Sequence, residues 1–126
     1  MRYLVRARLR EGKAKALQQA LKSGTLGQGS VAEGEYERNM NAARLAPGGE
    51  TEWVEVCFCQ TPLKEERPYW EEYFELLSVK DAHRRSNCRH ESGTQSWACL
   101  DCDCTAKLEA RLASRGQSFF DLLKSS

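Results

Sequence analysis

The sequence predicts an α+β domain on an antiparallel sheet, followed by a cysteine-rich tail, and three observations lead there. Residues 2–10 and 51–59 have the composition of strands. Residues 13–23 and 68–77 carry apolar side chains at helical spacing. Cys88, Cys99, Cys102 and Cys104 then crowd into a stretch with almost no apolar run of its own.

Arg2-Tyr3-Leu4-Val5-Arg6-Ala7-Arg8-Leu9-Arg10 alternates with period two. Tyr3, Val5, Ala7 and Leu9 share one face and the arginines the other, as in a strand with one face on a core and one in water. Glu11-Gly12 ends it. From Lys13 to Ser23, Ala14, Leu17, Ala20 and Leu21 recur at helical intervals, and Gly24 suits the left-handed residue just past a helix. The glycine-containing stretch 25–34 reads as a loop. Over 35–45 the pattern predicts a helical turn through Tyr36 and Met40 leading into a short strand. Pro47-Gly48-Gly49 then turns the chain back into Thr51–Cys59, rich in aromatic and β-branched residues. Taking the aliphatic residues as the buried set, this strand turns Val54, Val56 and Phe58 inward. Trp53, Glu55, Cys57 and Cys59 then face outward.

Thr61-Pro62 has the look of a helix start, but Pro68 cannot sit in a helix interior, so the regular helix is expected to begin near Pro68. Tyr69, Trp70, Tyr73, Phe74 and Leu77 would make its stripe, read as core packing ahead of an aromatic ligand pocket. Residues 77–82 alternate as a last strand.

Strand, helix, strand, strand, helix, strand is the split βαβ order. On that order, residues 1–83 resemble a ferredoxin-like βαββαβ domain and are similar to the dimeric α+β barrel superfamily. The resemblance implies a homodimer through the sheet face that the helices leave open, here bearing Leu4 and Trp53. It also implies that the third and fourth strands end at one sheet edge, which brings Cys57 and Cys59 near the start of the tail, residues 84–126. Cross-strand pairing with Glu55 is the ordinary reading of Arg6 and Arg8 on that face; a basic site for an anionic ligand is the other.

At 126 residues the chain fits one core, and 19 basic against 18 acidic residues leave no general field to recruit nucleic acid or anionic lipid. The start Met1-Arg2-Tyr3-Leu4-Val5-Arg6 interrupts its apolar residues with charge, unlike a secretory signal, and no apolar run approaches membrane-span length. A soluble, cytoplasmic protein is therefore expected. Six cysteines in that setting point to reduced thiols or metal; three disulfides are the alternative if the compartment is oxidising.

Cys99-x-x-Cys102-x-Cys104 with Cys88 upstream supplies four thiolates, the set that closes a tetrahedral shell around zinc. Cys57, Cys59 and His90 are substitute or additional ligands. Asp101 and Asp103 are expected to stay outside a thiolate shell. A helix from Thr105 through Arg115, with Leu108 and Leu112 apolar, follows the cluster and ends at Gly116. The second reading makes Cys57 and Cys59 a redox pair, although Cα atoms two apart in a regular strand lie about 6.6 Å from each other, near the limit for a disulfide. An iron–sulfur cluster ranks third, because the spacing matches neither ferredoxin run; inert buried cysteines complete the set.

No phosphate-cradling glycine loop, Ser-His-Asp set or paired-carboxylate arrangement stands out, and the first strand presents arginines where an RNA-recognition sheet presents aromatics. The residues thus point to a small zinc-binding α+β protein with a binding, assembly or regulatory role. The alternative is a thiol-redox enzyme, or an α+β barrel-type oxidoreductase or isomerase working on the open sheet face.

Overall fold

The computed structural model describes residues 2–57, 60–83 and 104–124, with the side chains of 81–83, 104 and 105 outside that description. In chain order the elements are β1 (Arg2–Leu9), α1 (Ala14–Ser23), α2 (Glu35–Ala42), β2 (Arg44–Leu45), β3 (Thr51–Val56), α3 (Arg67–Glu71), β4 (Phe74–His83), α4 (Cys104–Leu112), β5 (Gln117–Ser118) and α5 (Phe119–Lys124). The fold is α+β, with a sheet ordered β4-β1-β3-β2-β5 in which every pairing is antiparallel.

β1 forms where its alternation predicts it. Tyr3, Val5 and Ala7 lie buried in the core, while Arg6 and Arg8 are exposed on the other face. The strand pairs with β3 on one side and β4 on the other, which is why its apolar row sits at the centre of the core. α1 buries Leu17, Ala20 and Leu21, and Gly24 ends it at φ +68°, its N–H closing back on the carbonyls of Ala20 and Leu21. This left-handed cap is the geometry only glycine takes without a Cβ clash. The stretch 25–34 runs through successive turns. α2 and the two-residue β2 follow as a helix leading into a short strand, with Tyr36 and Met40 on the helix's buried face.

Two expectations change here. The helix foreseen from Pro68 to Leu77 stops at Glu71, and Phe74 already belongs to β4. Trp70 and Phe74 satisfy helical spacing, but Phe74 pairs with Leu9 of β1 and Leu76 with Ala7, so sheet pairing prevails over the local period. The aromatic residues do pack inward as core: Trp53, Trp70 and Phe74 are fully buried and their ring centroids lie 4.6–6.0 Å apart. Each such side chain contributes about 1.5–3 kcal/mol from burial. The second change is the inward face of β3. The register Tyr3↔Glu55, Val5↔Trp53 and Ala7↔Thr51 turns Thr51, Trp53 and Glu55 toward the core, with Val54 on the opposite face. Val54 is buried too, yet outside the core cluster, and Val56 is half-buried; Phe58 lies outside the described residues. The opposite face is therefore not open along β3, where Glu52 and Val54 are both buried.

The C-terminal part adds to the same sheet and core. α4 packs against β3 and ends at Leu112, short of the expected Arg115. Gly116, at φ +52°, then brings β5 alongside β2. α5 seats Phe119 and Leu123 in the core cluster with residues of α1 and α2. No helix among the described residues is long and apolar enough to cross a membrane.

Candidate functional site

Glu55 is the charged residue the fold treats least like a surface group. Its side chain enters the core from β3, where Oε1 accepts a hydrogen bond from Trp53 Nε1 at 2.7 Å and Oε2 accepts one from Trp70 Nε1 at 3.0 Å. Two indole donors satisfy both oxygens, and this is what permits a carboxyl at a position only 3% exposed. Burial pushes its pKa from the ordinary 4.5 up to about 7; the indole hydrogen bonds oppose the rise, and the carboxylates of Glu66 and Glu35 add to it.

Around it lies a polar interior walled by aromatic rings. Tyr36 stacks at a tilt on Trp70 with centroids 4.8 Å apart, and its hydroxyl donates to Ser30 Oγ at 2.9 Å. Ser30 in turn donates to Glu65 Oε2 at 2.8 Å, whose other oxygen takes the Val31 N–H at 3.0 Å. Burial raises the Tyr36 phenol well above its usual value. Glu66, also buried, accepts from the Cys57 thiol, Sγ to Oε2, at 3.4 Å. Glu55, Glu66 and Cys57 thus occupy one end of the core beneath α3.

Cys57 was expected on an open face with Cys59. It is instead 2% exposed and part of the core cluster, because it continues the inward parity of Trp53 and Glu55. The assumption that failed is that the aliphatic residues of this strand mark its core row: two tryptophan N–H groups make the core acceptable to Glu55 instead. The arginines of β1 find other partners than Glu55. Arg6 forms a 3.1 Å ion pair with buried Glu52, and Arg8 a looser 3.7 Å contact with Glu50. Trp53, expected on a dimer face, is wholly buried.

Cys59, Cys88, Cys99, Cys102 and His90 lie outside the described residues, and Cys104 is described only as the first residue of α4. The path of α4 is nonetheless informative. Just beyond its C-terminal end, the Arg115 and Gly116 carbonyls accept hydrogen bonds from Arg44, at 2.9 and 3.0 Å, and Arg44 pairs with Glu52 near the beginning of β3. One turn back from Leu112, Glu109 forms a 2.7 Å ion pair with Arg38 of α2. α4 packs on β3, with the segment after its C-terminal end beside the Glu52 end of that strand, and Cys57 follows β3 at the opposite edge of the sheet. β4 leaves the sheet at this edge too, since Val56 and His83 flank Arg2 from either side.

No family model, curated protein or solved structure matches the chain.

Among the described residues no three His, Cys, Asp or Glu side chains are grouped so as to hold a metal ion. Glu55 lines neither the cleft between Thr61 and Val79 nor the one between Ala20 and Glu37. Burial lets this carboxyl hold a proton near neutrality. Glu66 escaped notice in the sequence: one glutamate among several before Arg67-Pro68 carries no signal of burial.

Proposed function

We propose that the chain is a small zinc-binding α+β protein with a binding, assembly or regulatory role in the cytoplasm. Cys88, Cys99, Cys102 and Cys104 form the ligand set, and Cys57, Cys59 or His90 serve as substitutes. What supports this reading is the spacing Cys99-x-x-Cys102-x-Cys104 with Cys88 upstream, a set of four thiolates that suits a closed shell around zinc, on a segment that leads into α4 packed against β3. The order β4-β1-β3-β2 supports reading the N-terminal part as a ferredoxin-like core, to which α2, β5 and α5 are additions.

The burial of Cys57 counts against the redox pair, because a reactive thiol needs access to its oxidant and this one is enclosed in the core; the same enclosure leaves the tail thiols as the main ligand set. Elemental analysis of protein purified without added metal tests the proposal. About one equivalent of zinc per chain is expected, and its release by chelator should lower the unfolding temperature. Less than about half an equivalent of any transition metal would remove the reading.

A further inference from the structure

Away from the thiols, a cleft of about 320 Å³ opens between the segment before α3 and the first half of β4. Its volume lies at the lower end of the range for small-molecule sites. One wall is Thr61, Pro62 and Arg67, and the other is the β4 segment 76–79.

Both walls are fixed by features that packing alone does not demand. On the first, Leu63 holds φ +58°, a left-handed conformation rare for a leucine, while its side chain is completely buried. Its carbonyl accepts the Arg67 N–H at 2.8 Å, so the anchored leucine sets where Arg67 leaves the backbone. On the second wall the register with β1 jumps: Arg6 pairs with Ser78 and Ala7 with Leu76, leaving Leu77 as the extra residue of a bulge. Leu77 is 38% exposed, one of three large apolar side chains left outside among the described residues, and it lines the cleft.

Among the described residues that line the cleft, the charged one is Arg67. Arg67 makes an ion pair with Glu71 at 4.0 Å, the longest of the four among the described residues, with both side chains 44% exposed. Such a pair contributes little. No hydrogen bond from the Arg67 guanidinium occurs among the described residues, so its planar donor fork can receive a carboxylate in the bidentate manner. The Thr61 and Ser78 hydroxyls add polar contacts, while Pro62, Leu76, Leu77 and Val79 supply an apolar wall.

We propose that this cleft binds a small organic carboxylate with a short hydrocarbon body. The carboxylate sits on Arg67 and the body lies against Pro62 and Leu77. The proposal does not rest on the metal reading: no cysteine is among the described residues that line the cleft.

Titration of the full-length protein with hexanoate, n-hexanol and inorganic phosphate, followed by amide chemical-shift perturbation, tests it. Hexanoate should saturate at about millimolar concentration or below and shift residues 61–67 and 76–79. Arg67→Ala should weaken it at least about tenfold, Arg67→Lys less so, and n-hexanol should bind at least about tenfold more weakly. Leu77→Asp should weaken hexanoate through the apolar wall. Arg67 and Leu77 are partly exposed, so an unchanged melting temperature in each variant certifies its fold. Absence of saturation by hexanoate, equal binding by Arg67→Ala, or phosphate binding as tight as hexanoate would each overturn the proposal.

Discussion

Replacing Glu55 with glutamine separates the cost of a buried charge from the value of the hydrogen bonds around it. The folded-state pKa is raised, from 4.5 to about 7, so between these values the folded protein keeps a proton that the unfolded chain has released. Stability is therefore highest at the acid side of this window and falls as pH rises through it. At about 1.4 kcal/mol per pH unit, the interval amounts to roughly 3 kcal/mol once Glu55 is ionised. Glutamine cannot ionise, but its amide nitrogen cannot accept from an indole, so one of the Trp53 and Trp70 N–H groups loses its acceptor at a cost of about 1–3 kcal/mol. At pH 5 the Glu55→Gln variant should thus be the less stable protein by about that amount. By pH 8 the two should be close, since the wild type has lost a comparable quantity. Urea unfolding followed by tryptophan fluorescence at pH 5, 6, 7 and 8 measures this, and differencing the two proteins cancels every other titrating group. Parallel pH dependences for wild type and variant would refute the reasoning.

Arg6→Ala should destabilise by about 1–3 kcal/mol in the same assay at pH 7, because it strips the buried Glu52 carboxylate of a 3.1 Å guanidinium partner. Gly116→Ala should cost more than a surface substitution normally does, since a Cβ there meets the Leu45 carbonyl at a backbone angle of φ +52°; hydrogen exchange should show the Arg44 and Leu45 amides losing protection first. A homodimer through the uncovered part of the β1–β4 face, where Leu4 lies among Arg6, Arg8 and Lys80, predicts a dimer in sedimentation velocity at about micromolar concentration. A monomer there removes that arrangement.

How far the sequence could be read depended on whether one residue's local pattern agreed with its tertiary neighbours. β1 was legible because its apolar residues alternate with Arg6 and Arg8, which end up exposed where alternation sends them; Arg2, expected beside them in water, is instead buried. β3 was legible as a strand but not in its facing, since it is buried on both sides and its core row includes a glutamate made tolerable by two indoles, one beside it on the strand and one on α3. The segment after Pro68 offered Trp70 and Phe74 at helical spacing, and only the pairing with Leu9 reveals that Phe74 belongs to a strand. α5 went unread although a signal existed: Phe119 and Leu123 stand four apart, and Ser118 Oγ accepts the Asp121 N–H at 3.3 Å, a start motif visible as Ser-x-x-Asp. Of the thiols, clustering was evident in the tail, whereas the inward turn of Cys57 followed from the register of β3 and could not be seen without it.

The order in which the chain is made bears on how β5 and α5 close the structure. β1 and β3 can pair once residue 56 has been synthesised, but the outer neighbour of β2 and the core positions of Phe119 and Leu123 come from residues 117–124. Arg44 must wait for Ser118, and contacts so distant along the chain are slow to form. A nascent chain that has not yet reached residues 117–124 therefore exposes the apolar surfaces of α1 and α2 that α5 later covers, which makes the arrival of that segment the event that seals this side of the core.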